Sequence, residues 1–498
     1  MKLKNYLFFL LILSFLSLSC GTKKVLSPFS RGDNTLNNYY IKKVEFPASA
    51  TIEEKVEMAS RVIPTTNQYN WQKLELTAFI HFGVNTFTGK EWGTGKESPS
   101  IFNPTSLDVD QWVRVLKDAG FKLIILTAKH HDGFCLWQTK TTSHSVASSP
   151  YKGGKGDIVK EFSDACKKYN IKMGLYLSPW DMNASSYGSG EAYNDFYVKQ
   201  LTELATGYGE LTELWLDGAK DPKAPNQTYD FERYLEVLKK YQPNAVSAIK
   251  GEDIRWIGNE QGYGRETEWG VQGYKPNSYK DSESYNASLG LNLKAQDLGS
   301  RDILKKVNSV YWYPSEADVS IRPGWFYHSY ESPKGLDELI EVYYKSVGYN
   351  SVLLLNVPPD KRGQFDSKDI AVLGQFGNYI KTTFANGLLK NVTNTWVNAK
   401  IGDSKEYSLK TPSAINVLLI QENIMKGQRV EKFSVEVYSS GQWDKITVNS
   451  KEPNLTTIGY KRLVKFDTIQ NAEKIRITLE EARTNANISQ VNVYYSSK

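Results

Sequence analysis

The sequence predicts a (β/α)8-type barrel, with room for distortion in its later strands, followed by a C-terminal β-sandwich. Three observations point there. Apolar strand-like runs alternate with helical periodicity over about 310 residues, which calls for a parallel sheet with helical crossovers. His81, His130, His131, Ser178, Asp217 and Asn356 fall at or near the C-terminal ends of those runs. A barrel gathers such residues onto one face, where active sites of this fold lie. After about residue 390 helical periodicity gives way to short strand-like runs separated by turn signals. A length of 498 residues suits a large barrel plus an accessory module.

In chain order, Leu76 to Asn85 reads as a buried strand. Asp108 with Gln111 forms a capping box that opens a helix with Trp112, Val113, Leu116 and Ala119 on one face, stopped by Gly120. Phe121 to Lys129 is a continuous apolar run, as in a strand buried on both faces. Asp157 caps a helix carrying Ile158, Phe162, Ala165 and Tyr169 at helical spacing. Ile171 to Ser178 is the next strand, and a helix near Tyr193 to Ala205 follows. Glu213 to Asp217 reads as a strand, Phe231 to Tyr241 as a helix, and Ala245 to Lys250 and Arg255 to Glu260 as further strands. The stretch from Glu260 to Asp302 is poor in apolar residues, so the later strands are harder to count. A helix near Leu336 to Val347, a strand at Ser351 to Asn356 and a helix near Ile370 to Phe384 close the barrel, which spans residues 71–390. The sandwich, residues 391–498, has strand-like runs at Val417 to Gln421, Phe433 to Tyr438, Leu463 to Phe466, Lys474 to Leu479 and Gln490 to Tyr495. Such a module either packs or binds sugar, and packing is the favoured reading.

Residues 1–19 read as a signal peptide: Lys2 and Lys4 precede an apolar run from Tyr6 to Leu18, too short to span a bilayer. Small residues before Cys20 resemble a bacterial lipoprotein signal, with Cys20 as the lipidation site; an ordinary cleaved signal is the alternative. Residues 20–70 form a tether and leading segment. The expectation is an exported protein of the periplasm or cell envelope, touching membrane only through that anchor. Cys135 and Cys166, the two other cysteines, build no disulfide framework. The net charge of +6 comes from Lys and Arg scattered among 55 acids, without the basic stripe a nucleic-acid binder needs. Aromatics reach 13%, and their half-polar faces suit sugars.

The chain has 5 histidines, and three of them, His81, His130 and His131, gather at strand ends. Imidazoles from separate strands can converge on zinc. No carboxylate clearly completes a ligand set, so hydrogen bonding to the hydroxyls of a polyol is favoured and no metal is expected. Asp217 follows the apolar run Leu214-Trp215-Leu216 and precedes Gly218, the position at which a barrel displays a catalytic group. Acid/base chemistry at a glycosidic bond needs a second carboxylate. Glu260, Glu266 and Glu268 are the candidates, with Arg255 to hold a carboxylate ionised and Trp256 to shield the site from water.

The runs HFGVNTF (His81 to Phe87), EWG (Glu91 to Gly93), KHHDGFCLW (Lys129 to Trp137), GLYLSPWD (Gly174 to Asp181), LWLDG (Leu214 to Gly218) and LLLNVPPD (Leu353 to Asp360) resemble the α-L-fucosidases of glycoside hydrolase family 29. The resemblance implies a retaining mechanism with Asp217 as nucleophile and no cofactor. It implies fucose contacts from His81, Glu91, Trp92, His130, His131, Tyr176 and Arg255, with Trp325 as the apolar wall for the deoxy methyl group. RWIGNE (Arg255 to Glu260) and SEADVSIRPGWFYH (Ser315 to His328) resemble the branch that cleaves α-1,3 and α-1,4 fucosyl links in branched, Lewis-type glycans. That branch implies Glu260 as acid/base and Glu316 or Asp318 as contacts to a neighbouring galactose. The other branch points to Glu268. The expected partner is a fucosylated oligosaccharide or glycoconjugate. Broad fucoside specificity, a silent fucoside-binding protein and a metal-dependent hydrolase are the competing readings; oligomeric state is not legible.

Overall fold

The computed structural model describes residues 42–277, 280–391 and 395–498. The signal segment and Cys20 lie outside the described residues.

Eight parallel strands form a nearly closed barrel. They are β1 (Leu76–Ile80), β2 (Leu123–Lys129), β3 (Lys172–Leu177), β4 (Glu213–Leu216), β5 (Val246–Ile249), β6 (Arg255–Trp256), β7 (Ser315–Ser320) and β8 (Val352–Asn356). Their order is β5-β4-β3-β2-β1-β8-β7-β6, and a parallel bridge between Ala248 and Ile254 brings the two ends together. Six crossover helices cover the strands: α1 (Val109–Asp118), α2 (Ile158–Tyr169), α3 (Glu191–Gly207), α4 (Phe231–Tyr241), α5 (Leu336–Ser346) and α6 (Ser367–Thr383). In α1, Val109, Trp112, Val113 and Leu116 repeat at helical spacing and are buried against the sheet. Burying each contributes about 1.5–3 kcal/mol. Asp108 caps α1 by accepting from the Gln111 backbone N–H. The Gln111 side chain does not close the expected box; its Oε1 instead accepts from the Phe365 backbone N–H at 2.8 Å.

No helix separates β5 from β6. Between β6 and β7 the chain leaves the barrel on a long excursion. There Val271–Gln272 and Ser309–Trp312 pair antiparallel, and Lys43–Glu45 adds to the same small sheet. The segment expected to be a leader therefore folds onto the body from Lys43. Its second helix, Thr66–Gln72, delivers Trp71 to the barrel interior beside Phe79, Ile125 and Trp215.

The C-terminal module is one six-stranded antiparallel sheet: β9 (Trp396–Ala399), β10 (Ser404–Glu422), β11 (Val430–Ser439), β12 (Gln442–Lys445), β13 (Arg462–Ala482) and β14 (Ala486–Tyr494). The runs expected as separate strands at Leu463 and Lys474 are one strand. Register shifts along β10 and β13 let both strands bend, so that the sheet folds around its own apolar core. The module clasps the excursion: Thr457 Oγ1 accepts from Glu268 N at 3.0 Å, Gln428 Oε1 from Gly270 N at 2.7 Å, and Gln428 Nε2 donates to Glu268 O at 2.9 Å.

Candidate active site

A cavity of about 360 Å³ opens at the C-terminal ends of the barrel strands, large enough for a monosaccharide. Its lining includes His81 after β1, His130 and His131 after β2, Tyr176 on β3, Asp217 after β4, Trp256 on β6 and Asp318 on β7. Glu91, Trp92, Trp325 and Glu260 complete the wall from loops. No described residue of the sandwich lines it.

His130 and His131 face the same cavity although neighbours in a strand point to opposite sides. The reason is local. Thr127 pairs with Tyr176 but Lys129 pairs with Leu177, so β2 slips by one residue just before the histidines. Behind them Lys129 Nζ makes a buried ion pair with Asp181 at 2.8 Å and donates to Gln200 at 2.8 Å.

Two hydrogen-bond chains set the histidine tautomers. Ser178 donates its hydroxyl to Trp180 O at 2.7 Å, so toward His131 Nδ1, also at 2.7 Å, it can only accept. Asn356 donates to Ser320 Oγ and Trp325 O, so its Oδ1 accepts from His81 Nδ1 at 2.8 Å. Both rings then carry their proton on Nδ1 and leave Nε2 as an acceptor. Burial pushes His81 down to about 3, lowers His130 well below the ordinary value and lowers His131 against the opposing pull of Asp217. The three imidazoles are neutral at physiological pH, which suits them to accept hydroxyl hydrogens. Among the described residues no group of three or more His, Cys, Asp or Glu side chains is disposed to hold a metal ion.

Asp217 is held at both oxygens. Tyr176 Oη donates to Oδ2 at 2.8 Å, and the Ala219 backbone N–H donates to Oδ1 at 2.9 Å. His131 Nε2 stands 3.9 Å from Oδ2. Glu260 is exposed at the rim, where Trp325 Nε1 approaches its Oε2 at 3.4 Å. Glu91 accepts from the Trp325 backbone N–H at 2.8 Å and contacts His328 Nε2 at 2.6 Å, which ties the Trp325 loop to the wall. Trp92, 60% exposed, sits at the mouth with Trp180 beside it. Gly93 carries a φ of 71°, and a Cβ there would meet Asn85 Oδ1 at 2.7 Å, so only glycine lets this loop turn in.

Four expected residues are not in the cavity. Trp256 lines it, so Arg255, its neighbour on β6, points the other way; it is buried, donating to Tyr313 O and Glu268. Glu268 is locked between Arg255 and Arg265. Glu266 lies by Arg462 at the seam with the sandwich. Glu316 sits deeper in the barrel than Asp318, two residues back along β7, and accepts from Trp215 Nε1 at 2.9 Å. Asp318 does line the cavity. Burial, then the charges of Glu260 and Asp217, push its carboxyl up to about 8, while the Trp256 indole N–H opposes them. Sequence reasoning missed Phe79, Trp215, Ile249, Lys250, Asn277 and Leu293. Lys250 and Ile249 carry a signal, the end of β5; Asn277 and Leu293 belong to the excursion and carry none.

The family model for alpha-L-fucosidases matches residues 47–384. Alpha-L-fucosidase 1 of Arabidopsis thaliana is 39% identical, over 87% of each chain. A crystal structure from Bacteroides ovatus is 54% identical and superposes with a TM-score of 0.89, covering 93% of this chain and 79% of that one. A GH29 fucosidase of Ruminococcus gnavus, solved in complex with fucose, is 33% identical with a TM-score of 0.75, covering 88% and 95%.

Proposed function

The chain belongs to the alpha-L-fucosidase family of glycoside hydrolases, and from that premise we propose that it is a retaining exo-enzyme that releases α-1,3- or α-1,4-linked fucose from branched glycans. The observation that carries the mechanism is Asp217, whose two oxygens are aimed and charge-stabilised by Tyr176 and the Ala219 N–H. Asp217 attacks the anomeric carbon as Glu260 protonates the departing oxygen. The glycosyl-enzyme is then opened by water that Glu260 deprotonates. His81 and His131 accept hydroxyl hydrogens of the sugar at Nε2. Trp325, Phe79 and Trp215 supply the apolar wall for its methyl group.

The geometry around Glu260 supports an extended substrate. Trp256 and Glu260 also border a second groove of about 750 Å³, which runs past Asn259, Gln261, Tyr263, Lys294 and Gln296. The test of linkage is fucose release from a matched pair, one oligosaccharide with α-1,3/4-linked fucose beside a galactose branch and one with terminal α-1,2-linked fucose, with an aryl fucoside alongside. Release from the branched substrate alone is expected. Equal release from all three would move the enzyme to broad specificity, and silence on all three would favour a binding protein.

Glu260→Ala is expected to lower kcat on a natural glycan by about 10²–10³-fold. It should retain more activity on an aryl fucoside with a good leaving group, and azide should rescue it by trapping the glycosyl-enzyme. Asp318, held protonated to about 8, is the second reading for the acid. If Asp318→Asn and not Glu260→Ala produces the azide-rescued phenotype, the roles are exchanged.

Ser178→Ala removes the acceptor that sets the His131 tautomer. The expected result is a fall of about fivefold to thirtyfold in kcat/KM with an unchanged fold, the cost of one lost buried hydrogen bond; steady-state kinetics check it. We further propose export and tethering through acylated Cys20, tested by palmitate labelling of the wild type against Cys20→Ala.

A further inference from the structure

Beneath the sugar pocket the barrel contains two carboxyl groups that the reaction does not use. Glu213 on β4 and Glu316 on β7 are 0% and 1% exposed and reach each other across the interior. One oxygen of each is satisfied by an indole. Trp71 Nε1 donates to Glu213 Oε2 at 2.7 Å, and Trp215 Nε1 donates to Glu316 Oε2 at 2.9 Å. The other oxygen of each, Oε1, has no donor among the described residues. Two ionised carboxylates have nothing to donate to each other, and among the described residues no cation pairs with either. Placing both charges together in a dry interior costs far more than keeping one proton.

We infer that Glu213 and Glu316 share a proton between their Oε1 atoms, and that this neutralised bridge positions Trp215 as the floor of the sugar pocket. Both are positioning residues rather than catalytic ones. Trp215 lines the cavity, and its ring lies 5.4 Å from Tyr176 and 5.3 Å from Phe79. Tyr176 in turn donates to Asp217. A Trp215 indole pinned at Nε1 cannot turn, so the wall beside the nucleophile is set from below. Burial pushes both carboxyls up; the charge of Glu213 raises Glu316 further, while a hydrogen bond from Glu316 holds Glu213 lower. Asp318, two residues along β7, is the other titratable group bearing on the pair, and it acts in the same direction. Trp71 and Trp215 complete the surroundings and do not titrate.

The positioning role rests on the fucosidase reading, whereas the shared proton does not, and one set of variants separates them. Infrared spectra at neutral pH should show a buried carboxylic-acid carbonyl band in the wild type. Asp132 and Asp318 contribute acid bands of their own, so the reading is a difference spectrum: Glu213→Gln and Glu316→Gln should each remove one and the same band, because the amide N–H then supplies the bridge, while Asp318→Asn should remove a different one. Difference spectra in which neither Gln variant loses an acid band would overturn the shared proton, whatever the activity. For positioning, Glu316→Ala leaves the Trp215 N–H unpaired. On an aryl fucoside it should lose about tenfold or more in kcat/KM, the scale of an unsatisfied buried donor. Glu316→Gln should restore the rate to within about threefold, as expected when one hydrogen bond replaces another. Wild-type kinetics in Glu316→Ala would overturn positioning. If that variant does not fold, Glu316→Gln decides instead: a loss of kcat/KM as large as that expected of the Ala variant, with the fold intact, would overturn the amide-for-proton equivalence on which positioning depends.

Discussion

Asp217→Asn is expected to lower kcat by about 10⁴-fold, near 5.5 kcal/mol of barrel-mouth chemistry lost to one atom exchange. The amide keeps the shape of the carboxylate. Its oxygen still accepts from Tyr176 Oη or from the Ala219 N–H, so the pocket should stay intact. What disappears is the anionic oxygen that forms the ester to the sugar. Fucose binding should therefore survive, and calorimetric titration beside steady-state kinetics separates the two. Turnover within tenfold of the wild type would remove Asp217 from the nucleophile's role. Loss of binding together with turnover would mean that the negative charge also holds the ground state.

Lys129→Met should cost about 3–5 kcal/mol of stability, because it strands a buried carboxylate. Lys129 and Asp181 have side chains 0% and 2% exposed, and their pairing joins the end of β2 to the loop after β3. Asp181 also accepts from the backbone N–H groups of Asn183 and Ala184. Those bonds hold the loop, but they do not cancel the charge. The double variant Lys129→Met/Asp181→Leu should recover much of the loss, since replacing both ions with apolar groups removes the desolvation penalty as well. Urea denaturation of the two single variants and the double variant measures the coupling. Simple addition of the two single losses would show that the pair acts as two independent surface-like charges.

A pH dependence of stability follows from buried acids. Asp132 is pushed up to about 7 and Asp318 to about 8, both mainly by burial. A carboxyl raised in the folded state adds its stability below its unfolded value, near 4. That contribution is lost as pH rises toward 7 and 8. Stability should therefore fall across this window, and Asp132→Asn should flatten the slope in thermal melts at stepped pH.

The barrel was legible where its strands are apolar. Phe121 to Lys129 and Ser351 to Asn356 carry unbroken apolar stretches, Leu123 to Leu126 and Val352 to Leu355, and the helix at Phe231 to Tyr241 matches α4 residue for residue. Strand β7 was hidden because its inward face carries Glu316 and Asp318, so SEADVS shows no apolar run. β6 is only 2 residues long, and no periodicity is readable at that length. The histidines, Tyr176, Asp217 and Glu260 could be found because motif and strand end coincide. Arg255 and Glu316 lie outside the cavity for two different reasons, the alternation of side chains along a strand for the first and depth in the barrel for the second. Arg255 faces away from its neighbour Trp256. Glu316 shares the inward face with Asp318 but lies one layer lower. Asn277 and Leu293 reach the pocket through an excursion whose path depends on Lys43–Glu45 and the sandwich, partners far away in sequence.

That excursion separates two kinds of inheritance within one pocket. The histidines, Tyr176 and Asp217 are rooted in successive repeats of the barrel and cannot shift without moving strands. The opposite wall, at Asn277 and Leu293, grows from a loop that belongs to no repeat and is clamped from outside by Thr457 and Gln428. Grafting a different excursion from beyond Glu260, together with its clamp, is expected to exchange the leaving group this scaffold accepts while keeping Asp217 and Glu260 in place. The C-terminal module is then the handle by which such an exchange can be made.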